Sequence, residues 1–210
     1  MKPKENFTKE HDTAILIFGT FNPVTNAHVN MGTTVSKLYP ESDVVFVPAK
    51  DAFLKNWKGF DDSAILKNRI DLLYTVARKH GFKVSDIELT GVVDGRSIHT
   101  IEYMKNTLGY SKILFCMGTD KLGEIGAWYR AKDLVSQNRF IVFERDPAKT
   151  VSACDLVKEY YGNFTFVKED DVYTSISATE VRTCLSEGSF ERIRETVPAE
   201  VYEHLKEIYK

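Results

Sequence analysis

Five consecutive apolar residues, Ala14-Ile15-Leu16-Ile17-Phe18, stand out from a polar lead-in. A run of this length without polar alternation reads as a strand buried on both faces, as in a parallel sheet. Val44-Val45-Phe46-Val47, between Asp43 and Pro48, has the same character. Between the two, residues 27–38 predict a helix, with Thr25 and Asn26 suited to its N-cap. Leu66, Ile70, Leu73 and Ala77 recur at helical spacing. They predict a helix capped by Asp62 or Ser63 that runs to about His80 and ends at Gly81. A short strand is expected over 82–89, a helix over 97–108, and strands over 113–117, 140–143 and 164–167. The last third turns helical, over 177–186 and 198–209. Pro198 suits a first helical position, and Val201, Leu205 and Ile208 make an inward face.

Alternating strands and helices imply an α/β fold with a doubly wound parallel sheet. The 210 residues suggest one domain, with an α/β core over about 12–170 and a C-terminal helical part over about 171–210. In such sheets ligands bind beyond the carboxyl ends of the strands, where the strand order reverses.

Composition narrows the picture. Hydrophobic residues at 43% and charged residues at 28% fit a soluble globular protein. A net charge of −2 gives no electrostatic case for nucleic acid. No apolar stretch approaches the ~20 residues of a membrane span, and residues 1–12 lack a signal-peptide apolar region. Cys116, Cys154 and Cys184 are odd in number and form no C-x-x-C pair, so a disulfide framework or zinc site is not expected. A cytoplasmic protein is expected, and a homo-oligomer is compatible with the sequence. The five histidines show no metal-ligand spacing, and no metal-ligating residue is assigned. The loop after Ile17 is not G-x-G-x-x-G and no Walker lysine motif occurs, which argues against hydride transfer.

Residues 19–28 read Gly-Thr-Phe-Asn-Pro-Val-Thr-Asn-Ala-His directly after the first strand. Gly19 ends the strand where the backbone needs an unusual φ or a close approach. Pro23 stiffens the turn. The helix that follows points its first N–H groups back over the strand end, a natural anion site. His28, in its first turn, faces the same anion, and nearby phosphate favours the charged ring. Taken alone, His28 reads as a capping or surface histidine and Thr25 as an N-cap. Residues 176–182 read Ile-Ser-Ala-Thr-Glu-Val-Arg: Ser177 can cap a helix and expose its N–H groups, with Arg182 projecting from the first turns. A guanidinium there suits bidentate phosphate binding, although a solvated surface arginine is the plainer reading. After the strand at 113–117, Asp120 can accept from a ribose hydroxyl or cap a helix. Trp128 offers a face for stacking a planar ring or for core packing. Lys50, Lys55, Arg69 and Arg96 are further cations that could reach phosphates, and residues 97–100 could line a pocket floor.

Gly19, Phe21, Pro23, Thr25 and His28 together resemble the G-x-F-x-P-x-[H/T]-x-x-H signature of nucleotidylyltransferases. With the second motif matching I-S-x-T-x-x-R, nearly the whole chain resembles the nicotinamide/nicotinate mononucleotide adenylyltransferases. The resemblance implies a Rossmann-like doubly wound sheet with a small C-terminal helical subdomain. It also implies transfer of an adenylyl group from ATP to a pyridine mononucleotide, with Mg²⁺ and release of pyrophosphate, in NAD biosynthesis. By position, Gly19, Thr20 and Phe21 would line the ATP site and Thr25 and His28 would contact the triphosphate. Ser177, Thr179 and Arg182 would hold the far phosphates, and Gly118 and Asp120 the adenosine ribose. Lys55 would reach the mononucleotide, Trp128 would stack on the pyridine, and Thr100 and Tyr129 would lie near its carboxyl or amide. The catalytic assignment falls on His28, Arg182 and Thr25.

The chain departs from the bacterial pattern at Thr25, where most nicotinate-type enzymes carry His, and lacks their Pro-Pro-His segment. The step from Asp120 to Trp128 is nevertheless the bacterial one. Pantetheine-phosphate adenylyltransferases and cytidylyltransferases share the first motif, but the second motif and the 120–128 spacing argue against them. A non-catalytic nucleotide sensor would have no need of both His28 and Arg182.

Overall fold

The computed structural model describes residues 8–50, 63–144, 154–168 and 171–208. Six strands form one sheet: β1 (Thr13–Gly19), β2 (Ser42–Pro48), β3 (Lys83–Val84), β4 (Lys112–Gly118), β5 (Arg139–Glu144) and β6 (Phe164–Lys168). Their order is β3-β2-β1-β4-β5-β6, and every described pairing is parallel. The fold is therefore the α/β, Rossmann-like, doubly wound arrangement expected from the strand-helix alternation. The order reverses between β1 and β4, where Ile17 lies opposite Cys116.

The uninterrupted apolar runs are explained by helices on both faces. Ile15 and Ile17 point into one core with Phe46 and Val44, while Ala14 and Leu16 point into the other with Val45 and Phe115. Helix α1 (Asn26–Leu38) crosses from β1 to β2, and α2 (Ser63–His80) leads to β3. Gly81, at φ +72°, closes α2 in the left-handed conformation expected of a C-terminal glycine. Helix α3 (Ser97–Asn106) precedes β4, α4 (Ala131–Gln137) precedes β5, and α5 (Asp155–Glu159) precedes β6. Beyond the sheet come α6 (Asp171–Thr174), α7 (Ala178–Ser186) and α8 (Ala199–Ile208). Val181, Cys184, Leu185, Val201 and Leu205 join the same apolar core as Ile15 and Ile17, so the C-terminal helices pack onto one face of the sheet.

One strand is shorter than its apolar pattern suggests. The sequence predicts 82–89, yet β3 spans only two residues. Ser85 still donates its N–H to Phe46 O (2.9 Å), but Thr90 N–H then bonds back to Asp86 O (2.9 Å) and Val93 N–H to Ile87 O (3.2 Å). Local turn bonds thus replace the ladder, and Gly91 and Gly95 supply positive φ where the chain reverses. Ile87 is buried, so its apolar character reports packing under the turn rather than pairing.

Candidate active site

A parallel sheet gathers the carboxyl ends of its strands and the amino ends of the following helices on one rim. The loop 19–28 and the Gly118–Asp120 turn emerge there from the neighbouring strands β1 and β4. The first loop is tightly determined. Phe21 is fully buried with φ 45°, and its ring packs so close to Gly19 that a Cβ there would lie 3.0 Å from it. Gly19 is thus needed for the Phe21 ring rather than for an unusual φ of its own. The same ring meets His28 edge-on, with centroids 5.0 Å apart.

Thr25 N–H donates to His28 Nδ1 at 3.1 Å, and Thr25 Oγ1 lies 2.8 Å from that nitrogen. A backbone N–H can only donate, so Nδ1 accepts and the ring proton sits on Nε2. This alters the picture of a charged ring. A doubly protonated imidazole would turn an N–H against the Thr25 N–H, so the capping bond favours a neutral ring whose Nε2–H is the donor.

Arg182 joins the two motifs by bonding a residue 160 positions away in the chain. Its Nη1 donates to Asn22 O at 2.7 Å and its Nη2 to Thr179 Oγ1 at 2.9 Å. Ser177 Oγ accepts from the N–H groups of Thr179 (3.1 Å) and Glu180 (3.4 Å) and caps α7. Ser177 therefore engages two of the helix-start donors that the sequence suggested it would expose. The C-terminal segment also docks on the first loop's helix: Asn26 N–H donates to Thr196 O at 2.9 Å, and its side chain to Glu195 O at 3.0 Å.

Two residues gain importance that the motifs did not predict. Asn22 is fully buried, and neither polar atom of its side chain has a hydrogen-bond partner among the described residues. Arg69 is fully buried as well, with Nη1 on Thr20 O (2.5 Å) and Nη2 on Ala49 O (2.6 Å). Arg69, expected among the cations that could reach phosphates, is instead engaged by these two carbonyls, and its spacing from Leu66 and Leu73 puts it on the apolar face of the helix.

A second group of expected residues lies around the start of α3 and the exit of β4. Trp128 is half-buried and packs one side on Phe115, with centroids 5.8 Å apart. Tyr129 is exposed, with the Arg96 guanidinium 4.0 Å over its ring and His99 edge-on at 5.3 Å. Asp94 accepts from the Arg96 N–H (3.1 Å) and lies 2.9 Å from His99 Nδ1. Thr100 is fully buried and donates its hydroxyl to Glu88 Oε1 at 2.7 Å. Burial, with a smaller push from Asp94, raises the Glu88 carboxyl to about 7. Asp120 is exposed at the β4 exit, 3.5 Å from Lys121 Nζ. Lys55 lies outside the described residues.

Among the described residues, one His and carboxylate group has ligand atoms within 4.8 Å of one another: Glu10, His11 and Asp43. It sits at the amino ends of β1 and β2, opposite the rim, where Lys83 pairs with Glu10 (2.8 Å) and Asp43 (3.6 Å). On the rim itself, the residues that the fold joins around the first loop offer imidazole, guanidinium and hydroxyl groups. Such a donor set suits phosphate oxygens and leaves a divalent cation to be held largely by the phosphates themselves.

Comparisons with known proteins agree with this fold. Residues 16–184 match the cytidylyltransferase-like family. The probable nicotinate-nucleotide adenylyltransferase of Caldicellulosiruptor saccharolyticus is 30% identical over 202 residues, spanning 93% of this chain and 98% of the relative. That of Aquifex aeolicus is 24% identical over 173 residues, spanning 79% and 99%. The solved structure of Plasmodium falciparum nicotinic acid mononucleotide adenylyltransferase complexed with NaAD superposes with a TM-score of 0.74 at 18% identity, covering 94% of this chain and 96% of that one.

Proposed function

The chain belongs to the cytidylyltransferase-like family, and from that premise we propose that it is an adenylyltransferase that joins ATP to nicotinate mononucleotide in NAD biosynthesis. The observation that carries this reading is the Arg182 bridge to Asn22, which brings the second motif onto the His28 loop at the β1/β4 reversal. The names of the relatives favour nicotinate over nicotinamide as the pyridine.

An oxygen of the mononucleotide 5′-phosphate attacks the α-phosphorus of ATP in line. The bond from that phosphorus to the α–β bridging oxygen breaks, and pyrophosphate leaves with its electron pair. The attacking group is already anionic, so positioning and charge stabilisation suffice. His28 Nε2–H donates to the transferring group, while Arg182 and Thr179 face the leaving pyrophosphate. Gly19, Thr20 and Phe21 present backbone to the triphosphate, Gly118 and Asp120 take the ribose, and Trp128 and Tyr129 take the pyridine. Lys55 and Thr100 complete the mononucleotide side. Thr25 sets the His28 tautomer, and Ser177 caps the helix that carries Arg182. Magnesium would be held largely by the ATP phosphates and would supply charge neutralisation there. Three free cysteines suit a reducing, cytoplasmic setting.

The test compares kcat/KM for nicotinate mononucleotide, nicotinamide mononucleotide and phosphopantetheine with ATP, and for CTP in place of ATP. The highest value is expected for ATP with nicotinate mononucleotide. A higher value for phosphopantetheine or for CTP would overturn the reading.

A further inference from the structure

We propose that Arg69 is a positioning residue of the nucleotide site, which prepares the rim for the triphosphate by removing two carbonyl oxygens from it. Arg69 projects from α2 and is fully buried beneath the exits of β1 and β2. Its guanidinium donates to Thr20 O at 2.5 Å and to Ala49 O at 2.6 Å. Ala49 N–H donates in turn to Gly19 O at 2.9 Å, so three backbone carbonyls at the two exits are held.

The chemistry of the ligand gives this clamp its meaning. A triphosphate is bound by N–H groups and repelled by carbonyl oxygens. The loop around Thr20 carries both. A carbonyl engaged by a guanidinium has its negative end compensated and its direction fixed, leaving the neighbouring N–H groups as the electrostatic face of the loop. One planar fork also sets the spacing between the two exits, which a monodentate ammonium cannot do. Arg182 holds a further carbonyl of the same loop, Asn22 O, at 2.7 Å. The loop 20–22 is therefore held by two arginines, one from α2 and one from α7. Arg69 never touches the substrate in this arrangement; it acts through the loop. The proposal rests on the nucleotide reading of this rim, but not on the identity of the second substrate.

The clamp predicts a loss directed at the polyphosphate. Affinity for a non-hydrolysable ATP analogue is measured by calorimetry for wild type, R69K and R69M, beside the affinity for adenosine measured by competition. In R69M the analogue should bind at least tenfold more weakly while adenosine shifts less than twofold. In R69K, which keeps one donor, the analogue should fall between wild type and R69M. A merely structural role would weaken both ligands alike. Equal losses for analogue and adenosine, or analogue binding in R69M within twofold of wild type, would overturn the proposal. If R69M does not fold, R69K is read by the same criterion. These affinities are measured without turnover, so a wild type that binds the analogue but makes no dinucleotide refutes the proposed reaction and leaves Arg69 to be judged by its own result.

Discussion

Burial raises the Glu88 carboxyl from its ordinary 4.5 to about 7, with Asp94 adding to the push and the Thr100 hydroxyl opposing it. Below the unfolded value both states hold the proton. Between about 4.5 and 7 the folded state holds more protons than the unfolded one, so stability falls as pH rises, and above 7 the loss is complete. The shift corresponds to at most about 3 kcal/mol. E88Q keeps an oxygen for Thr100 but cannot ionise. Urea denaturation at pH 5 and pH 8 should therefore show a larger drop for wild type than for E88Q, by up to about 3 kcal/mol. Equal drops would contradict the burial argument. At this scale the motifs singled out His28, Thr25 and Arg182, and the structure sets all three on or against the first loop. Their partners were not legible, because a sequence shows that Thr25 can cap a helix but not that His28 Nδ1 answers it.

Among the elements, α1 shows how closely the helices approach the sheet. Gly32 is buried within α1, and a Cβ there would lie 2.8 Å from the Phe82 ring and 3.3 Å from Phe46. Alanine is favoured over glycine in a helix by about 1 kcal/mol. Overpacking against a buried ring costs about 1–3 kcal/mol and should win. G32A should thus be destabilised by about 1 kcal/mol in chemical denaturation; a stabilised variant would show that the ring yields freely. Periodicity located the long elements well, since α2, β1, β2 and β4 carry strong patterns. It failed at β3, where Ile87 is apolar because it packs beneath a turn that its own backbone bonds create.

Over the whole molecule, strand alternation made the parallel sheet legible, and the two motifs marked which loops matter. That the two would share one triphosphate site was expected from the sequence; the contact that joins them, one guanidinium reaching Asn22 O, was not legible. The partners of Arg69 were not legible either: it was expected as a cation that could reach phosphates, and it holds the Thr20 and Ala49 carbonyls instead. Strand order, C-terminal docking and both arginines all converge on the loop that presents His28. The most direct test of adenylyl transfer at this rim is the pyrophosphate release rate of folded H28A, at saturating Mg²⁺–ATP and nicotinate mononucleotide, against wild type. Removing one transition-state donor should cost about 3 kcal/mol, so kcat should fall ~100-fold or more with the circular dichroism spectrum unchanged. Near-native turnover in H28A would contradict the account.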